Sequence, residues 1–214
     1  MPLIIYKNEK GVRVPSVSAV LAQWGAKTQA LIYWAYKQGE QGVPLYEKKE
    51  ADVGTLAHMM IDADIKDKQM DLSEFPADIV DQAQQCLSNY SEWRQRHNFV
   101  PIETELSLVS ERHQYGGTID CVAMVDDKLS IVDWKTGKEV YEDHIVQLVA
   151  YAHLWRENFP EPEHQLTGGY HIIRTGKAFA MFEYKWYADF PGAWSAFLHL
   201  RELYNLSKKI KQLK

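Results

Sequence analysis

The chain of 214 residues predicts an α/β fold in which a central sheet carries helices on its faces, and three observations lead there. Hydrophobic periodicity runs helical over the first hundred residues, switches to alternation for three strands, returns to helix, and ends with two strands and a last helix. The stretch GGTIDCVAMVDDKLSIVDWKTG, residues 116–137, is apolar on both faces of its alternation, the pattern of strands covered on both sides. A hydrophobic content of 46% suits one sizeable core, and no linker-like tract interrupts residues 40–190. One domain is expected over 1–214: a mostly helical part at 1–98, a sheet core at 99–187 and a closing helix at 188–214.

The elements follow in order. VPSVSAVLAQWG opens with Pro15 and Ser16, a helix start, and stops at Gly25. KTQALIYWAYKQG reads as a short helix ending near Gly39. EADVGTLAHMMIDADIKDK places Val53, Leu56, Ala57, Met60 and Ile61 on one apolar stripe, and PADIVDQAQQCLSNYSEWRQRHNF is a longer helix with Pro76 at its start. VPIETELSLVSE alternates, with Ile102, Thr104, Leu106 and Leu108 on one face and Glu103, Glu105, Ser107 and Val109 on the other. After the two strands of residues 116–137 comes the helix EDHIVQLVAYAHLWREN. LTGGYHIIRTG and KAFAMFEYKW suggest a hairpin turning at Thr175-Gly176, and the chain closes on a helix with a basic end.

Composition narrows the function classes. Net charge is −5, so no overall basic field marks the chain for nucleic acid, although a local basic rim can act alone. Cys86 and Cys121 cannot supply a four-thiolate cluster and suit a reducing setting. The first twenty residues carry no signal-peptide pattern and no apolar run approaches the ~18 residues of a membrane span. A soluble cytoplasmic protein is expected.

The ribbon poses the chemical question, because it holds Asp120, Asp133 and Lys135. If Asp126-Asp127 form a two-residue turn, Val125 faces Lys128 and Asp120 faces Asp133, on the face shared with Val122, Met124, Leu129 and Ile131. Ile119, Cys121, Val125 and Val132 then take the other face. The turn is not the favoured Asn-Gly type, and a slip of one residue would send one acid to that other face. Two opposed carboxylates repel unless a counter-charge joins them. Divalent magnesium or manganese, which favours carboxylate oxygens, supplies it. Glu105 falls level with Asp120 if the preceding turn centres on Arg112-His113; otherwise it belongs, with Glu103, to a solvated strand face. His144, Gln147 and Tyr151 form a polar stripe on the helix after Lys135, either beside the acids or facing solvent. His58 lies one helical turn after Gly54, where a small residue lets another backbone approach; a lone histidine in such a place is also an ordinary core residue.

Taken together, GTIDCV, VDWKTG and QLVAY, preceded by PSVSAVLAQW and GTLAHMMID, resemble the PD-(D/E)XK nuclease superfamily, in particular its RecB-type and phage-exonuclease branch. The resemblance covers about residues 14–155. It implies a restriction-endonuclease-like three-layer fold, with a central mixed sheet, an αβββαβ core and, here, an N-terminal helical elaboration. It implies Asp120, Asp133, His58 and the Trp134 carbonyl as metal ligands, with Glu105 as a further candidate if two ions bind. Lys135 would be the catalytic lysine, and Gln147 and Tyr151 would organise the site. Iron–sulfur clusters of some relatives are not expected, because the cysteines are missing.

The function expected is magnesium- or manganese-dependent hydrolysis of DNA at its ends, in recombination, repair or phage DNA processing. A structure-specific or flap endonuclease on the same site is the alternative; others are a catalytically silent nucleic-acid-binding module and an interaction domain whose acids merely pair with Lys135. Substrate contacts are sought at Arg94, Arg96, Arg112, Arg174 and Lys177, and at the aromatics Trp24, Trp34 and Tyr36 for an unpaired strand. Lys208, Lys209, Lys211 and Lys214 suit either a phosphate contact or a solvated helix end. The partners expected are DNA ends, possible further copies of the chain or a recombination protein, and no membrane.

Overall fold

The structure, a computed structural model, describes residues 4–25, 28–40, 42, 49–137, 139–177, 183–190 and 192–213. Helix α1 (Val17–Leu21) starts where Ser16 Oγ accepts the Ala19 N–H, and continues as a 3-10 turn (Ala22–Trp24) that Gly25 ends at φ +71°. Helices α2 (Thr28–Glu40), α3 (Lys49–Ile65) and α4 (Ala77–Gln95) follow. The sheet is built from β1 (Phe99–Ser110), β2 (Tyr115–Val125), β3 (Lys128–Lys135), β4 (Gly169–Arg174) and β5 (Glu183–Tyr187). Helix α5 (Glu142–Asn158) links β3 to β4, and α6 (Ala193–Lys211) closes the fold.

The sheet order is β1-β2-β3-β4-β5, with only β3 and β4 parallel, so the sheet is mixed. Three layers result. On one face, α1, α5 and α6 bury Val17, Leu148, Tyr151, Leu154 and Phe197 against Ile131 and Ile172. On the other, α3 and α4 bury Ile61, Tyr90 and Trp93 against Cys121, Val132 and Trp134. The predicted stripe of Val53, Leu56, Ala57, Met60 and Ile61 is buried, the first four residues packing toward Ile79, Ala83 and Cys86 of α4. The order αβββαβ is the one expected, and this is the three-layer α/β fold.

The β2–β3 turn takes the expected register, from Val125↔Lys128 to Cys121↔Val132. Asp126 and Asp127 both adopt positive φ (+49° and +64°), the turn geometry that matches strand twist, and aspartate tolerates it better than most residues.

Three sequence expectations need correction. Thr104 does not share a face with Leu106, nor Ile119 with Cys121. Leu106 and Ile119 join the α5-side core, whereas Thr104 bonds Asp62 of α3 and Cys121 packs on the α3/α4 side. The register is unbroken there, Leu106↔Ile119 and Thr104↔Cys121, so no residue is inserted. The strands turn over at the level of Glu105, whose φ of +52° is a left-handed conformation inside a strand. The third correction concerns the β4–β5 connection, which does not turn at Thr175-Gly176. The pairing Arg174↔Glu183 excludes a two-residue turn there, and residues 178–182, part of the expected second strand, lie outside the described residues.

Candidate metal centre

Strands β1 and β2 and helices α3 and α5 all reach a pocket of about 170 Å³. From β2 comes Asp120, whose Oδ2 accepts the Trp134 N–H of β3 at 3.0 Å. This bond lies just past the last paired residues, so the carboxylate takes a main-chain donor that the ladder leaves open. From α3 comes His58, its Nδ1 3.7 Å from the same Oδ2. Helix α3 reaches the end of β3 because Gly54 has no side chain: a Cβ there would sit 3.1 Å from Thr136 Oγ1. From β1 comes Glu105, turned inward by its left-handed backbone. His58, Glu105 and Asp120 each offer one ligand atom, all within 4.8 Å of one another.

Asp133 and Lys135 stand beside this triangle on β3. Asp133 is 1% exposed, and Lys135 Nζ is 2.5 Å from its Oδ2. Oδ2 is thus ion-paired with the ammonium, and Oδ1 has no hydrogen-bond partner among the described residues. The Lys135 ammonium is its counter-charge, which such a buried carboxylate needs. Lys135 Nζ donates to Gln147 Oε1 at 3.0 Å, and Gln147 Nε2 donates to Tyr151 Oη at 2.8 Å. The polar stripe of α5 is therefore turned to the site, not to solvent. Its third member, His144, accepts the Tyr141 N–H through Nδ1 and caps the helix instead.

Burial dominates the electrostatics. It raises Asp133 to about 6 despite Lys135, and raises Asp120 as well. Glu105 rises to about 7, through burial and then the charges of Asp120 and Asp62. Burial and then Lys135 lower His58 to about 4, so the imidazole is neutral with a lone pair to give. Burial alone would discharge Lys135, but Asp133 and Asp120 outweigh it and its pKa stands above the ordinary lysine value. Three carboxylates, a neutral imidazole and one ammonium leave a site deficient in positive charge. Its oxygen-rich donor set with one nitrogen suits a divalent cation such as magnesium or manganese. The Trp134 ring points away, into an edge-on cluster with Tyr90 and Trp93, while its main chain bonds both Asp120 and His58.

The five basic residues considered for substrate are scattered. Arg174 pairs in register with Lys135; its Nε donates to Glu183, and its buried Nη1 has no partner among the described residues. Arg94 is ion-paired with Asp64 at 2.7 Å and Arg96 with Glu92, both at the far end of α4. Arg112 sits on the β1–β2 turn, where its N–H donates to Glu157, and Lys177 is half-exposed near Cys86. Trp24 and Tyr36 are exposed; the Trp34 side chain and Lys214 lie outside the described residues. Lys208, Lys209 and Lys211 are exposed on the last turns of α6.

Sequence reasoning missed two contributions. Asp62 bonds Thr104 Oγ1 at 2.6 Å and Lys66 at 2.7 Å, and lies close enough to raise Glu105. Ile4, Tyr6, Ser16 and Ser18 also line the pocket. The adjacent Gly116 and Gly117, two small residues inside a strand just before the acid, were the available sign of a close approach.

A family model described as the PD-(D/E)XK nuclease superfamily matches residues 32–185, well over half of the chain. The mitochondrial genome maintenance exonuclease 1 of Homo sapiens is 27% identical over 154 residues, covering 64% of this chain. The matched part spans only 42% of that relative's length. No described helix is long and apolar enough to cross a membrane.

Proposed function

Because this chain belongs to the PD-(D/E)XK nuclease superfamily, and is thus a hydrolase of nucleic acid, we propose that it is a metal-dependent DNA exonuclease of the RecB-type and phage-exonuclease branch. Its role would be trimming DNA ends in recombination, repair or phage DNA processing, alone or beside further copies or a recombination partner. The observation that carries this reading is the convergence of His58, Glu105 and Asp120 within 4.8 Å, next to the buried Asp133–Lys135 pair. The exonuclease name of the human relative supports the choice among nucleases.

In this reading His58, Asp120, Asp133 and the Trp134 carbonyl hold magnesium or manganese, and Glu105 adds a ligand if a second ion binds. A divalent cation held by these groups supplies Lewis-acid polarisation of a phosphoryl oxygen and a more acidic water. Lys135 stays protonated and faces the charge that builds on the phosphate during attack. Gln147 and Tyr151 hold the lysine's ammonium in place. Arg174, level with Lys135, meets a neighbouring phosphate; Arg94, Arg96, Arg112 and Lys177 lie along possible strand paths further out.

The test is digestion of end-labelled linear DNA and of closed circular DNA, each single- and double-stranded, in magnesium and in chelator. Linear substrate should vanish in magnesium alone while circles survive. Cleaved circles or flaps would move the assignment to a structure-specific endonuclease, and no cleavage of any substrate would leave a nucleic-acid-binding module.

A further inference from the structure

The pocket that His58 lines is also lined by Ile4, Tyr6, Ser16 and Ser18. Residues 4–16 form an extended segment with a tight turn, in which Lys7 and Arg13 pair antiparallel, before entering α1. The segment is fastened to the β1–β2 end of the sheet. Asn8 Nδ2 donates to Gln114 Oε1 at 2.7 Å, and the Gly116 N–H donates to the Pro15 carbonyl at 2.9 Å. Tyr6 is pinned to the sheet. The ring lies on Gly116 so closely that a Cβ there would come within 2.4 Å of Tyr6 Cγ. Its hydroxyl is bonded to Thr118 Oγ1 at 2.8 Å, and that oxygen is bonded in turn to Ser107 Oγ at 2.8 Å. Half-buried and held at both ends, the ring lines the same pocket as His58, Glu105 and Asp120.

We propose that Tyr6 is a substrate-positioning residue, a fixed stacking platform for the base of the nucleotide whose phosphate lies at the metal centre. The pocket is lined both by metal-suited groups and by an aromatic ring, the two kinds of contact that the phosphate and the base of a single nucleotide call for. The pocket holds about 170 Å³ and is lined by Tyr6 together with His58, Glu105 and Asp120, so an aromatic face and metal-suited groups share one small space. A ring already immobilised by Gly116 and Thr118 loses little freedom when a base settles on it, and stacking accepts any base because each has a π face. The identity of the ligand rests on the nuclease reading above.

The experiment uses the full chain with Tyr6→Ala, Tyr6→Leu and Tyr6→Phe, and a short labelled DNA strand either complete or abasic at its terminal nucleotides. On the complete strand, Tyr6→Ala and Tyr6→Leu should raise KM roughly 5- to 100-fold with a smaller change in kcat, the range expected for one lost base stack. Tyr6→Phe keeps the ring and should stay near the wild type. On the abasic strand the penalty should largely disappear. An equal penalty on both strands would make Tyr6 a steric wall only, and an unchanged KM would put it outside the substrate path; either overturns the proposal. Tyr6→Leu still covers Gly116, so it reports even where the alanine variant does not fold. A wild type that cuts neither strand sinks the nuclease reading alone. Anisotropy binding of the same strands in calcium then decides the present point, and affinity that does not depend on the base overturns it.

Discussion

Lys135 is held between a carboxylate and an amide: Nζ lies 2.5 Å from Asp133 Oδ2 and 3.0 Å from Gln147 Oε1, and Gln147 in turn binds Tyr151. The ammonium is thus placed by two elements, β3 and α5. Because Gln147 is only half-buried, its removal should cost the fold little. Gln147→Ala should lower kcat about 10- to 100-fold, the scale of a catalytic group displaced by an ångström. Tyr151→Phe should lower it less, since the amide retains Lys135. Single-turnover rates and melting temperatures for each variant check this; full activity in Gln147→Ala would reduce the chain of bonds to a structural role.

The acid cluster should make the metal-free fold responsive to cations. Magnesium should raise the melting temperature of the wild type, because a ligand that binds only the native state stabilises it, by about 2.7 kcal/mol at a hundred times its Kd. Asp133→Asn should lose most of that response and all cleavage. Its cost in chelator should be small, because Lys135 keeps the Asp120 charge nearby. Thermal melts of both proteins in chelator and in magnesium measure the difference. A large loss of stability in chelator would instead mark Asp133 as a structural partner of Lys135.

Glu105 adds a pH dependence of definite sign. Its folded pKa of about 7 lies above the ordinary 4.5, so the folded state keeps a proton that the unfolded chain releases. The stability from this group is fully present below about pH 4.5 and is lost as pH rises through 7. Glu105→Gln removes that loss. In chelator the variant should exceed the wild type by roughly 1–2 kcal/mol at pH 8, after allowance for partial exposure, and match it near pH 4. Urea denaturation at the two pH values checks the prediction.

Gly117 ties core packing to the site. An added Cβ would come 2.7 Å from Tyr151 Cε1, 3.0 Å from Val17 Cγ2 and 3.1 Å from Leu154 Cδ1. Gly117→Ala should therefore destabilise the fold by about 1–3 kcal/mol. Relief by moving Tyr151 would disturb Gln147 and hence Lys135, so kcat should fall further than the loss of folded protein explains. Activity measured well below the melting temperature separates the two effects.

What the sequence by itself determined is local. Equal pairing about Asp126-Asp127 set the β2–β3 register, and with it the level of Asp120 beside the Asp133 strand. Ser16 and Gly25 marked the ends of the first helical segment, and the spacing of Gln147 and Tyr151 put them on one face of α5. These features depend on side-chain periods of 2 and 3.6 and on caps and turns, all readable within a few residues. The tertiary structure decided what crosses long stretches of chain. Glu105 faces the pocket because its strand adopts φ +52°, a strained conformation that alternation cannot signal and that persists only where surrounding contacts over-determine it. Arg174 comes level with Lys135 only through the parallel pairing of β3 and β4 around α5. Tyr6 reaches Thr118 across 112 residues of sequence, because Gly116 leaves the strand surface bare and the Tyr6 ring fills it. Close packing selects such a contact by shape, and shape complementarity between distant segments has no period for a sequence to display.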